Sequence, residues 1–206
     1  MIVEDIDFSD LIDSILSLFE KNLDRDRYGQ IQAGIRQNIF FLCIANLRCY
    51  QANMRVIAAR KKEPLDTQLI SDMELQARVV GEQRVKSKAV INSLLSSVYL
   101  PEHRSSVSEQ GWMSDDIVYS VGEMIDRLTI EYIKRVDYRS RIEECPGEKQ
   151  ELLTKIRLSE DWSNRVFRYL DFKLKEIKRK GYYESVAETR TYNLTNIEVP
   201  DFFKHH

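Results

Sequence analysis

Apolar residues recur along most of this chain at intervals of three and four, the period of helices that bury one face. Phe8, Leu11, Ile12, Ile15, Leu16 and Phe19 follow it, with Asp7, Asp10, Asp13 and Ser14 opposite. They predict a short amphipathic helix over residues 7–22, acidic near its positive N-terminal end. A charged connector follows at 22–28. Ile31, Ile35, Ile39, Leu42, Ala45, Cys49, Ala52 and Val56 then predict a helix over 30–62. Its 39–45 run is apolar on nearly every side, so it is expected at the centre of the fold. Gly34 weakens its start by about 1 kcal/mol against alanine.

Pro64 ends that helix, and Asp66 or Thr67 caps a third over 68–98. Leu69, Ile70, Met73, Ala77, Val80, Val85, Val90, Ile91, Leu94 and Leu95 are its expected buried face, and Gly81 inside it marks close packing or a mild bend. Pro101 closes it, and the aperiodic stretch 101–116 reads as a loop between two halves of a bundle.

A fourth helix starts at Ser114 or at Ser120, where Ser120 and Glu123 have the spacing of a capping box. Val121, Met124, Ile125, Leu128, Tyr132 and Val136 form its stripe, and Pro146-Gly147 breaks it. A fifth helix buries Leu152, Leu153, Ile156, Val166, Leu170, Leu174 and Ile177 and runs to Lys180, with Gly181 as its C-terminal cap. The tail 182–206 reads as irregular and packed back over the bundle. The expectation is one all-α domain: an antiparallel bundle of four long helices with a short N-terminal helix and an irregular tail.

Composition narrows the picture. The chain has 206 residues, enough for one core, and its 43% hydrophobic and 31% charged residues are those of a globular protein. A net charge of -2 gives no global attraction to nucleic acid or an anionic membrane. No run of about eighteen apolar residues occurs, and residues 1–16 are too acidic for a signal peptide, so the expected location is cytoplasmic, without membrane insertion. Three cysteines, Cys43, Cys49 and Cys145, with no C-x-x-C spacing, favour a reducing compartment and buried thiols. Cys145 before Pro146 reads as a capping or buried thiol rather than a nucleophile. His205 and His206 resemble a tag remnant, which leaves His103 without partners for a catalytic triad. No Gly-rich phosphate loop, zinc spacing or dinucleotide fingerprint is present.

Candidate chemistry therefore centres on the fourth helix. Glu123, Arg127, Glu131 and Arg135 alternate in sign every four residues. The plain reading is a solvent-facing ladder, each pair contributing about 0.2–0.5 kcal/mol. The functional reading makes Glu123, Asp126, Arg127 and Glu131 the lining of a ligand site, with Glu123 and Asp126 sharing a divalent metal and Arg127 holding phosphate. Asp126 lies on a second face with Ile130, Ile133 and Asp137, where a partly buried carboxylate needs an arginine or lysine from another helix. Lys178, Tyr182 and Tyr192 are further ligand-binding candidates, at or beyond the basic 173–180 end of the fifth helix. That end reads first as a solvated terminus matched to its dipole and second as a nucleic-acid contact, as does the basic end Arg55, Arg60, Lys61 and Lys62.

The stretch Ser120-Val-Gly-Glu-Met-Ile-Asp-Arg-Leu-Thr-Ile130 resembles the Gly, two variable residues, Ile-Asp-Arg-Leu-Ser-Ile element of the DUF4254 family of bacterial proteins. The similarity continues through Cys145, Leu152-Leu153, Lys178-Arg-Lys-Gly181 and Thr191-Tyr192-Asn193. In the first half Asn46-Leu47 with Tyr50 and Gln83-Arg84 resemble family segments, whereas Asn53-Met54 and Val85-Lys86 stand where the family has Glu-Asp and Asn-Asp. The resemblance implies a role around polysaccharide or glycoconjugate assembly, beside glycosyltransferase-related proteins. The leading expectation is a helical binding or scaffold protein, as a homo-oligomer. The alternatives are a metal-dependent enzyme binding a nucleotide or sugar nucleotide between helices, and then RNA or DNA binding.

Overall fold

A computed structural model describes residues 5–61, 67–100 and 119–183. The 101–116 loop with His103, the Asp66 and Ser114 caps, and the tail from 184 with Tyr192 lie outside the described residues. Within them the chain is an all-α helical bundle without strands. Its helices are α1 (Ser9–Asn22), α2 (Arg25–Arg60), α3 (Thr67–Val98), α4 (Val121–Glu144) and α5 (Lys149–Lys180), the last entered through a 3₁₀ turn at Pro146–Glu148. No helix among the described residues is long and apolar enough to cross a membrane.

α2 begins inside the stretch expected as a connector. The Asp24 carboxylate accepts from the backbone N–H groups of Asp26 and Arg27 at 3.2 and 3.1 Å, so the charged residues become a capped first turn. The expected capping box at Ser120 and Glu123 is formed in both directions and starts α4. Gly181 ends α5 in the left-handed region, at φ 76°.

α2 touches α1, α3 and α4, and its Ile31, Ile35, Ile39, Leu42, Cys43 and Leu47 run through the core. α1 closes one side with Ile15 and Phe19, and α5 contributes Leu170, Leu174 and Ile177. The core is not uniform along α2 and α3. Phe40 and Phe41, inside the run expected to be buried all round, are half exposed, because α2 turns one face outward there. On α3 only the C-terminal part is buried, at Ser87, Lys88, Ile91, Asn92 and Leu95. Leu69, Val85 and Val90, expected inside, are exposed. Between Leu47 of α2 and Ser87 of α3, Val56 and Ala59 are the only buried described residues, so the far half of this hairpin has no full third layer among the described residues.

Close packing occurs not at Gly81, where a Cβ would meet nothing within 4 Å, but at Gly122. A Cβ there would lie 2.6 Å from the Lys88 carbonyl oxygen, so α3 and α4 touch through their backbones. A buried polar network secures this crossing. Asn92 donates to Ser120 Oγ at 3.1 Å and accepts from Gly122 N at 2.9 Å and from the Tyr183 hydroxyl at 3.0 Å. Tyr183 N also donates to the Tyr99 carbonyl at 2.7 Å, which docks the start of the tail.

Candidate functional site

α4 presents two buried carboxylates on its second face, Asp126 at 2% exposure and Asp137 at 1%. Three helical turns separate them, so one face of α4 meets α2 twice. Around Asp126, α3 supplies Arg84 and α2 supplies Asn46. Arg84 Nε donates to Oδ1 at 2.6 Å and its Nη2 to Oδ2 at 2.5 Å, a forked ion pair, while Asn46 Nδ2 donates to Oδ1 at 3.0 Å. The Arg84 side chain keeps 31% of its surface, so the clamp has an outer edge in solvent. Cys49, one turn along α2 from Asn46, lies within the field of both charges. Burial raises its thiol pKa, the Arg84 guanidinium opposes this, and Asp126 adds to it.

Around Asp137 the neighbours are Tyr50, Tyr138 and Arg141. Burial pushes the Tyr50 hydroxyl well above its ordinary range, and the adjoining Asp137 carboxylate pushes it further. Asp137 Oδ2 is buried without a hydrogen-bond partner among the described residues. Arg141 is turned outward to Glu148, at 2.7 Å.

The residues singled out in the sequence do not form one site. Glu123 is half-buried, and its carboxylate accepts from Ser120 N at 3.2 Å as part of the helix cap. Arg127 is exposed, with its guanidinium 5.9 Å from the Tyr119 ring centre. Glu131 accepts from Lys134 Nζ at 2.9 Å. Arg135 reaches across to α5, donating to Ser163 Oγ at 2.6 Å and to Ser159 Oγ at 3.2 Å. No hydrogen bond or close ion pair joins Glu123, Arg127, Glu131 and Arg135 into the expected ladder, although the Glu131 charge still acts on Arg135. Lys134 is a nearer partner for Glu131, and α5 covers Arg135.

The Glu123–Asp126 metal pair is likewise divided, one carboxylate capping α4 and the other held by Arg84 and Asn46. No group of three or more His, Cys, Asp or Glu side chains suited to a metal occurs among the described residues. Lys178 is exposed and Tyr182 half-buried, and neither is bonded to Asp126. Arg179 and Lys180 both lie beside Glu176, at 3.7 and 3.4 Å, which partly neutralises the basic end of α5.

Asp137, Tyr138 and Arg141 escape sequence reasoning as a unit, and so do Asn46 and Arg84 as partners of Asp126. The available signal was the shared helical face of Asp126 and Asp137. The thiols divide by depth. Cys43 is buried against Thr129, at 3.8 Å, and burial pushes it up to about 12, whereas Cys145 caps α4 through its backbone and is exposed rather than buried. Compared with known protein families, curated proteins and solved structures, the chain matches none of them.

Proposed function

We propose that this chain is a helical binding or scaffold protein that works through its helix surfaces, in the service of glycoconjugate or polysaccharide assembly. The far half of the α2–α3 hairpin carries this reading. Ile57, Leu69, Leu75 and Val79 are exposed there, Leu75 at 60%. Apolar surface concentrated on a two-helix arm is the kind that partner proteins cover. Nearer the bundle, a depression of about 370 Å³ between α2 and α3 has Phe41, Ile44, Ala45 and Val90 as its apolar part, with Arg48 and Lys86 at its edge. The assignment to glycoconjugate assembly rests on the resemblance alone, and the proposed partner is a glycosyltransferase-related protein in the cytoplasm.

The test compares the tagged chain with its Leu75→Glu/Val79→Glu variant by co-purification and cross-linking with such a candidate. Both positions are exposed, so the variant should fold as the parent does and lose the partner. Equal retention by both would remove the arm from the proposal.

A second reading is favoured by the unpartnered Asp137 oxygen. Of the residues that carry the resemblance in α2, α3 and α4, Asn46, Arg84 and Asp126 meet on the same face of α4, and Tyr50 lies against Asp137 three turns along it. This reading is a nucleotide- or sugar-nucleotide-binding enzyme, with Arg84 in the phosphate-holding role given above to Arg127. A thermal-shift panel of nucleotides and sugar nucleotides, with and without magnesium or manganese, separates the two. A saturable shift would replace the scaffold reading, whereas the scaffold reading expects none. RNA or DNA binding through Lys178 and its neighbours ranks last, because Glu176 already sits beside Arg179 and Lys180.

A further inference from the structure

α5 carries a second apolar stripe, apart from its buried one, that is exposed in the structure. Leu158, Trp162, Tyr169 and Phe172 are all exposed, Leu158 at 59%, while Leu152, Ile156, Leu170, Leu174 and Ile177 of the same helix are buried. With Arg165 between them, the exposed residues are spaced four, three, four and three, the repeat of a seam between paired helices. Tyr169 and Phe172 already stack along it, ring centres 6.4 Å apart. Asp161 and Arg168 flank the seam on one side, exposed and without an ion pair among the described residues. Arg165 is exposed as well.

We propose that this face pairs with the same face of a second copy, with the two α5 helices antiparallel. Charge selects the arrangement. A parallel pair would set Arg165 against Arg165. An antiparallel pair with its two-fold axis beside residues 163–164 instead lays each Trp162 on the partner's Arg165, an arginine over an indole face. The same register opposes Leu158 to the partner's Tyr169 and brings Asp161 beside the partner's Arg168, twice by symmetry. Sliding the helices by one heptad would bring Arg168 against the partner's Arg168, so the flanking charges fix the register as well as the direction. The seam runs about 21 Å. One helix face of that length covers less than the roughly 800 Å² per partner of a standard interface, so the dimer forms in a concentration-dependent way. This interface is independent of the hairpin arm proposed above, because it uses a different helix.

The test is sedimentation velocity, or light scattering after size exclusion, on the full chain from about 1 to about 200 μM. The mass should rise from one chain to two over that range. Asp161→Arg alone and Arg168→Asp alone should each weaken association about tenfold or more, since each sets like charges together in both symmetric contacts. The two substitutions combined should restore it to within about twofold of the parent. All four proteins should melt alike, because both side chains lie in solvent. A single chain at every concentration, a dimer indifferent to either substitution, or a double variant as weak as the singles would each overturn the proposal.

Discussion

Arg84 grips Asp126 with two nitrogens, at 2.6 and 2.5 Å, although 42 positions of sequence and a change of helix separate them. The fork joins α3 to α4, and Asn46, donating to the same carboxylate at 3.0 Å, brings in α2. A carboxylate this deeply buried is tolerable only because three donors satisfy it. Asn46 is the neutral member, so Asn46→Ala isolates its share. It should cost about 1–2 kcal/mol in urea denaturation, with little change in helix content by circular dichroism.

Glycine substitutions should change sign from one helix to the next. Replacing glycine by alanine inside a helix ordinarily stabilises by about 1 kcal/mol. Gly81→Ala should do so, since its Cβ would meet nothing within 4 Å. Gly122→Ala should instead destabilise by about 1–3 kcal/mol, because Lys88 backbone stands 2.6 Å from the new atom and cannot rotate away. Thermal melts of the two variants beside the parent decide this.

The Tyr28 hydroxyl is buried without a partner, and burial, with Glu20 adding and Arg36 opposing, pushes it up to about 12. An unfolded tyrosine titrates near 10. The raised folded value means that the neutral phenol's contribution to stability is complete below about pH 10 and is lost as pH rises through about 12. Tyr28→Phe should therefore leave stability at pH 7 unchanged or slightly higher and flatten its decline above pH 10. Urea midpoints from pH 7 to 11.5 measure both effects.

The thiols should react in order of depth. Cys145 is exposed, Cys49 is intermediate, and Cys43 is buried with its pKa pushed up to about 12. At pH 8 a thiol-specific reagent should label Cys145 rapidly, Cys49 more slowly and Cys43 only on unfolding. Mass spectrometry of time points gives the order, and early labelling of Cys43 would contradict the packing of α2 against α4.

Local signals made much of this architecture legible. The three-and-four spacing of Leu11, Ile15 and Phe19, the Ser120–Glu123 box and Gly181 each depend on neighbours a turn or two away, and each stands where the sequence places it. The errors lie where distant packing decides. Leu69 and Val85 have the period of a core face, yet both are left exposed, because the apolar pattern cannot say how far along α3 the bundle extends. Arg135 sits at ladder spacing, but the buried oxygens of Ser159 and Ser163 draw it to α5. The need of Asp126 for a basic partner was readable from the isoleucines on its face. That the partner is Arg84, rather than another of the chain's 31 lysines and arginines, is set only by the crossing of α3 and α4.

The Arg84–Asp126 clamp joins α3 to α4, and a double-mutant cycle on it by urea denaturation is the most direct test. Arg84→Met should destabilise by about 3 kcal/mol or more, because it leaves the buried Asp126 without this counter-charge, and Asp126→Leu should cost less, because Arg84 keeps an edge in solvent. The double variant should be far less unstable than their sum, with a coupling energy of about 2 kcal/mol or more. Additive losses, with coupling near zero, would contradict a direct pair and return Asp126 to the role of a free carboxylate.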